Sequence, residues 1–79
     1  MNPHSAARSV NGFATVDLDG HPCTLPVGTT LADLLALRGL APDAVATAVN
    51  QRFVPRAARA TTVLHERDRI TTFEPITGG

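Results

Sequence analysis

Lysine is absent from this sequence of 79 residues; all seven basic residues are arginine. That absence excludes Schiff-base chemistry on a lysine and leaves no side-chain amine to accept an isopeptide bond. Tryptophan and tyrosine are missing too, and three phenylalanines are the only aromatics. Leu and Val must therefore provide most of the bulk of any core. Cysteine is reduced to Cys23. A single thiol forms no internal disulfide, which excludes a secreted disulfide scaffold. There is no apolar run of 18 residues, and Met1 to Val10 contains no apolar core, so neither a membrane span nor a signal peptide is expected. An excess of one charge is also lacking. Seven basic residues balance seven acidic ones, and a general affinity for nucleic acid or another polyanion gains no support. A reducing cytoplasm is the default expectation.

What is present makes one small domain. A chain of this size buries only about 60% of its unfolded surface, and 43% apolar residues are enough for such a core. Met1 to Gly12 is polar and aperiodic and reads as a disordered leader. From Phe13 the pattern changes. Val16 and Leu18 alternate with Thr15 and Asp17, the period of a half-buried strand. Asp19-Gly20 is a strong hairpin signal, after which Cys23 and Leu25 resume the alternation around Thr24.

Pro26-Val27-Gly28 breaks the strand, and Thr30 stands at a helix N-cap with Asp33 three residues on, a capping box. Leu31, Leu34 and Leu35 form one apolar stripe. Arg38 falls in the last turn, Gly39 occupies the position after the cap, and Leu40 supplies the accompanying apolar contact. The spacing predicts a helix over residues 31–38. Val45 to Val49 reads as a buried strand. Asn50-Gln51 turns into a short edge segment at Phe53-Val54, which Pro55 stops. Arg56 to Thr62 reads as a helical turn or loop. Val63-Leu64 packs back, His65 to Arg69 is a polar turn, and Ile70 to Phe73 is the last strand. The domain therefore runs from 13 to 74, and Pro75 to Gly79 is a free tail whose five residues reach about 16–18 Å when extended.

Side chains that carry chemistry are few. Cys23 sits in an alternating strand with no flanking cation and reads as a small buried apolar residue. His4, His21 and His65 show no metal-ligand spacing. Asp17, Asp19, Asp33, Asp43, Glu66, Asp68 and Glu74 fall on exposed faces and turns, where solvation accounts for them. No catalytic residue and no bound cofactor or metal is expected.

The distinctive group is the terminal carboxylate. Chance alone would put Gly-Gly at a chain end roughly once in 200 cases at average glycine usage. A tail ending in Gly78-Gly79 has no side chain on its last two residues, so it can thread a narrow channel and adopt backbone angles closed to other residues. The carboxylate of Gly79 is inert until activated, and adenylation by a partner would convert it into a mixed anhydride open to sulfur.

A hairpin followed by a helix on one sheet face, with later strands completing a mixed sheet of four or five strands, is an α+β arrangement. It resembles the β-grasp of ubiquitin-like proteins. Ala14 to Gly79, about five-sixths of the chain, resembles the sulfur carrier proteins of thiamin biosynthesis, the ThiS family. The markers are Val16-Asp17-Leu18-Asp19-Gly20, Thr30-Leu31-Ala32-Asp33-Leu34-Leu35, Val49-Asn50, Val54-Pro55-Arg56, and Leu64, Asp68 and Ile70 ahead of Gly78-Gly79.

The resemblance implies a carrier, not an enzyme, and a monomer when free. A ubiquitin-activating-type adenylyltransferase would use ATP to adenylate Gly79, a cysteine desulfurase relay would supply sulfur to make a C-terminal thiocarboxylate, and thiazole synthase would draw on it. Thr77 and Gly78 would thread the partner's channel. Phe73 and Ile76, which straddle Pro75, would dock on the partner, with Arg56 flanking them. Arg67 stands where the family often has Gly in the turn before the last strand, and Arg59 where it often has a large aromatic. The segment Phe73 to Gly79 looks more like the tail of the molybdopterin synthase small subunit, which usually carries a longer insertion than Gly39 to Ala44 after the helix. That subunit is the alternative. A sulfur carrier of secondary metabolism, a lysine-conjugated modifier and an inert β-grasp module are further readings.

Overall fold

A computed structural model of the chain describes residues 12–74. Strand β1 (Phe13–Leu18) and strand β2 (His21–Pro26) pair antiparallel, from Phe13 opposite Pro26 to Leu18 opposite His21. Asp19 and Gly20, at φ 50° and 90°, make the turn with both central residues in the left-handed region, as the right-handed twist of the strands requires.

Helix α1 (Leu31–Leu37) follows. The Asp33 N–H donates to Thr30 Oγ1 and the Thr30 N–H to Asp33 Oδ2, both at 3.1 Å, so the expected capping box is formed. The helix stops one residue earlier than the spacing predicts, with Arg38 as its cap. Gly39 takes φ 73°, which lets its N–H reach Ala36 O at 3.0 Å and the Leu40 N–H reach Leu35 O at 2.9 Å. This Schellman arrangement satisfies carbonyls that the helix end would otherwise leave unpaired.

Strands β3 (Ala46–Val49) and β4 (Arg52–Val54) form a second hairpin. A six-residue 3-10 helix (Arg56–Thr61) comes next, then β5 (Arg69–Phe73). The five strands are ordered β2-β1-β5-β3-β4. Only β1 and β5 run parallel. The result is the mixed β-grasp sheet with α1 on one face.

The core between sheet and helix is aliphatic: Leu31, Leu34 and Leu35 meet Val16, Leu18, Leu25, Leu64 and Ile70. Each such side chain contributes about 1.5–3 kcal/mol when fully buried. None of the three Phe is in it; Phe13, Phe53 and Phe73 are 67%, 64% and 44% exposed. Strand β3 departs from the expected buried run. Its one fully buried residue is Thr47, because Ala46 and Ala48 face the open side of the sheet. Leu64 packs back as expected, whereas Val63 remains partly exposed beside its bridge to Thr30. The expected leader, Gly12 excepted, and the whole of the expected tail lie outside the described residues.

Arg59 is the second buried polar residue. Its guanidinium donates from Nε to Thr47 Oγ1 at 3.2 Å, from Nη1 to Pro42 O at 2.8 Å and from Nη2 to Val45 O at 2.7 Å. Thr47 Oγ1 in turn donates to Val54 O at 2.9 Å. This corner is therefore packed around a hydrogen-bonded cation, the condition under which a buried charge is tolerated. Burial, and secondarily the charge of Arg56, pull the Arg59 pKa below its ordinary value, and the guanidinium remains protonated at physiological pH.

Candidate functional site

The site is the strand end from which the C-terminal segment leaves. Strand β5 is central: β1 pairs on one side through Asp17–Arg69 and Leu18–Ile70, and β3 on the other from Ala46–Phe73 to Val49–Ile70. Past Leu18, β1 has turned away, yet β5 is still held on that side. Asp19 Oδ1 accepts the Thr72 N–H at 2.8 Å, and Asp19 Oδ2 accepts the Thr72 hydroxyl. The chain is thus anchored to within two residues of Glu74, the last residue described.

Asp19 illustrates a correction to the sequence reading, which assigned the carboxylates to solvent. Five of the seven accept backbone N–H bonds. Glu66 accepts from Thr15, Asp17 from Gly20, Asp33 from Thr30, Asp68 from His65 and Asp19 from Thr72. They fasten turns and strand ends.

Register fixes which side chains surround the tail's root. Ile70 and Thr72 share the helix-facing side of β5, so Thr71 and Phe73 face outward. Opposite Phe73 is Ala46, and opposite Thr71 is Ala48, which also pairs with Phe53. The open face therefore presents two phenylalanines with small alanines between them, their Cα atoms about 12 Å apart from strand spacing and rise. Phe53 was not among the expected docking residues. Strand parity carries the signal, since Val54 points inward and its neighbour Phe53 must point outward.

Of the expected site residues, Phe73 is exposed at the root of the tail. Ile76, Thr77, Gly78 and Gly79 lie outside the described residues. Arg56 does not flank Phe73. Strand β3 lies between β4 and β5, and Pro55 turns the chain so that Arg56 lines an apolar groove with Leu35, Leu40 and Arg59 on the helix side. Cys23 is half-buried against the core, yet it shares a concavity with Arg38, a cation the sequence reading did not place there. It is 52 positions from Pro75, where the tail begins, in sequence, and on the far side of β1 from β5.

This architecture has known counterparts. The profile of the ThiS family matches residues 16–79. The chain belongs to the ThiS family. A curated relative, a thiazole synthase of Magnetococcus marinus, is 39% identical over 64 residues; the match covers 81% of this chain but 20% of that protein's own length. The chain thus spans about a fifth of that relative. The crystal structure of a thiamine biosynthesis protein (ThiS) from Geobacter metallireducens superposes with a TM-score of 0.71 at 20% identity, over 82% of this chain and 99% of that one. That likeness establishes the β-grasp fold. No helix among the described residues is long and apolar enough to cross a membrane.

Proposed function

We propose that this ThiS-family chain carries sulfur as a thiocarboxylate on Gly79, destined for thiazole formation. The observation that carries the reading is that the family match runs through Gly78-Gly79 to the end of the sequence. In the first step the Gly79 carboxylate attacks the α-phosphorus of ATP on an adenylyltransferase and pyrophosphate leaves. The persulfide sulfur of a cysteine desulfurase relay then attacks the carbonyl carbon and AMP leaves. A thiol cleaves the S–S bond of the resulting acyl disulfide, forming a disulfide with the relay sulfur and freeing the thioacid. The resulting thioacid keeps its sulfur nucleophilic but delivers it only where the carrier docks. Thiazole synthase is the acceptor, and the relative of that name supports the pairing.

The chain itself needs no cofactor in this scheme, since ATP is used by the activating partner. It works in the cytoplasm as a monomer between encounters. Phe73 and Ile76 provide the docking contact, and Thr77 and Gly78 enter the channel. Arg56, on the other side of the sheet, meets only a partner that wraps around the β4 edge.

The deciding experiment is the intact mass of the chain after incubation with adenylyltransferase, ATP and sulfide. A gain equal to one oxygen replaced by one sulfur, localised to Gly79, is expected. Covalent attachment of the chain to other proteins, seen as upward shifts on a denaturing gel, would instead make it a modifier, and an unchanged mass would leave an inert module.

A further inference from the structure

Four exposed residues, Asn50, Gln51, Arg67 and Arg69, line a concavity of about 260 Å³ at the end of the sheet opposite the tail's root. Three of them occupy the left-handed region without being glycine: Asn50 at φ 52°, Gln51 at 72° and Arg67 at 72°. Asparagine tolerates that conformation, whereas Gln and Arg adopt it at a cost. The first two are the central residues of the β3–β4 hairpin turn, which needs both there, so Arg67 is the one whose conformation the hairpin does not demand.

The cavity wall is fixed. The Asn50 side chain accepts the Arg69 N–H at 2.9 Å and donates to Asp68 Oδ1 at 2.9 Å. The Arg67 N–H donates to Thr15 O at 2.8 Å. The carboxylates of this end are already engaged: Asp68 Oδ2 accepts the His65 N–H at 2.8 Å, Glu66 accepts that of Thr15 at 2.8 Å, and Asp17, the register neighbour of Arg69, accepts that of Gly20 at 3.0 Å. Among the described residues, the one ion-pair contact is His65 with Asp68, so neither guanidinium has a carboxylate partner.

We propose that this pocket is an anchor for carboxylates on the surface of the protein that receives the Gly79 tail. Arg forks match carboxylates in a bidentate manner. A protein surface is favoured over a phosphate polymer because the chain has no net charge and because the open face, which Arg69 shares by strand parity, carries the exposed Phe53 and Phe73. Arginine and exposed aromatics on one face are the composition of a protein interface. Along β5 the anchor lies about 13 Å from Phe73, so one partner can hold the carrier at both ends of that strand, and the charges steer its approach. The partner's identity rests on the carrier reading; the pocket's preference for carboxylates does not.

The test uses the full chain, labelled with nitrogen-15, titrated at low salt with a hexaglutamate peptide and, separately, with inorganic phosphate. Shifts confined to the amides of Asn50, Gln51, Arg67 and Arg69 with the peptide, and lost in Arg67→Gly/Arg69→Gln, are expected. Equal shifts at Arg38 and Arg56, or an equal response to phosphate, would overturn the assignment. With the adenylyltransferase, the double variant should associate about tenfold more slowly at low salt and lose that deficit at high salt. Unchanged association at low salt would also overturn the anchor. A wild-type chain that the enzyme never loads with sulfur would defeat the carrier reading, while the peptide titration still decides the pocket.

Discussion

Asp19, in the first hairpin turn, holds Thr72 of the last strand through two hydrogen bonds to one carboxylate, although 53 positions separate them in sequence. The bond takes over where β1–β5 pairing ends at Leu18–Ile70, so the hairpin turn stiffens the root of the tail. Asp19→Ala should cost about 1–2 kcal/mol for the lost bonds, and roughly 4–8 °C of melting temperature for each kcal/mol. Asp19→Asn, which tolerates the left-handed turn, should lose less. Hydrogen exchange at the Thr72 amide should accelerate in the Ala variant; unchanged protection there would show that the carboxylate does not hold the strand.

Arg67 stands at φ 72°. Glycine adopts that conformation freely, while an L-residue forfeits about 1–2 kcal/mol; part of the gain is offset by glycine's larger freedom in the unfolded chain. Arg67→Gly should therefore stabilise the domain by about 0.5–1 kcal/mol in a urea melt. A stability loss of that size would mean the guanidinium contributes to the fold.

The parts of this fold that were legible in the sequence are those encoded locally. Asp19-Gly20 between alternating strands marked the first hairpin, and Thr30, Asp33 and Gly39 marked both ends of α1. What stayed hidden depends on segments that meet only in three dimensions. The bond from Thr15 to Glu66 spans 51 positions, and no local pattern distinguishes such a carboxylate from a solvated one. Arg59 was equally opaque, since its burial depends on Pro42, Val45 and Thr47 converging on it. Phe73 was within reach of the sequence: it lies three residues after Ile70, and an odd offset in a strand places the two on opposite faces. Arg56 was misplaced because its position depends on β3 entering the sheet between β4 and β5.

Arg59→Ala should be among the most damaging single changes. It leaves the Pro42 and Val45 carbonyls without their donor in a mostly buried corner, and it opens a cavity. The expected loss is about 2–4 kcal/mol. Replacement by Met, which fills the volume without the charge, should recover part of it. A thermal melt of the two variants checks the order, and an Ala variant as stable as the parent would show that the network contributes nothing.

Cys23 is half-buried on β2 and separated from β5 by β1, so it is expected to play no part in sulfur transfer even though Arg38 lies nearby. Cys23→Ala should cost about 1 kcal/mol through a small cavity and still accept sulfur at Gly79. Gly79→Ala should do the reverse, keeping the melting temperature and losing thiocarboxylate formation, because a channel shaped for glycine excludes a β-carbon. Intact mass spectrometry of both variants reads the two outcomes. A persulfide trapped on Cys23 during turnover, or full loading of Gly79→Ala, would overturn the division of roles.

Phe73 and Phe13 make a matched pair for testing the docking surface. Both are exposed on the open face, at 44% and 67%, but β1 and β5 run parallel, so Phe13 begins β1 at the end of the sheet away from the tail. Phe73→Ser should weaken binding of the activating enzyme by about 1–3 kcal/mol, as expected for an apolar anchor. Its effect on stability should stay within about 1 kcal/mol, since the side chain is outside the core. Ile76→Asp should weaken binding similarly. Phe13→Ser should leave affinity unchanged, because Phe13 lies four residues before Asp17, the register partner of Arg69, and so outside the span between both ends of β5. Equal losses from Phe73→Ser and Phe13→Ser, measured by calorimetry, would mean that the enzyme reads the whole face; no loss from either would place docking on the helix side, where Arg56 stands.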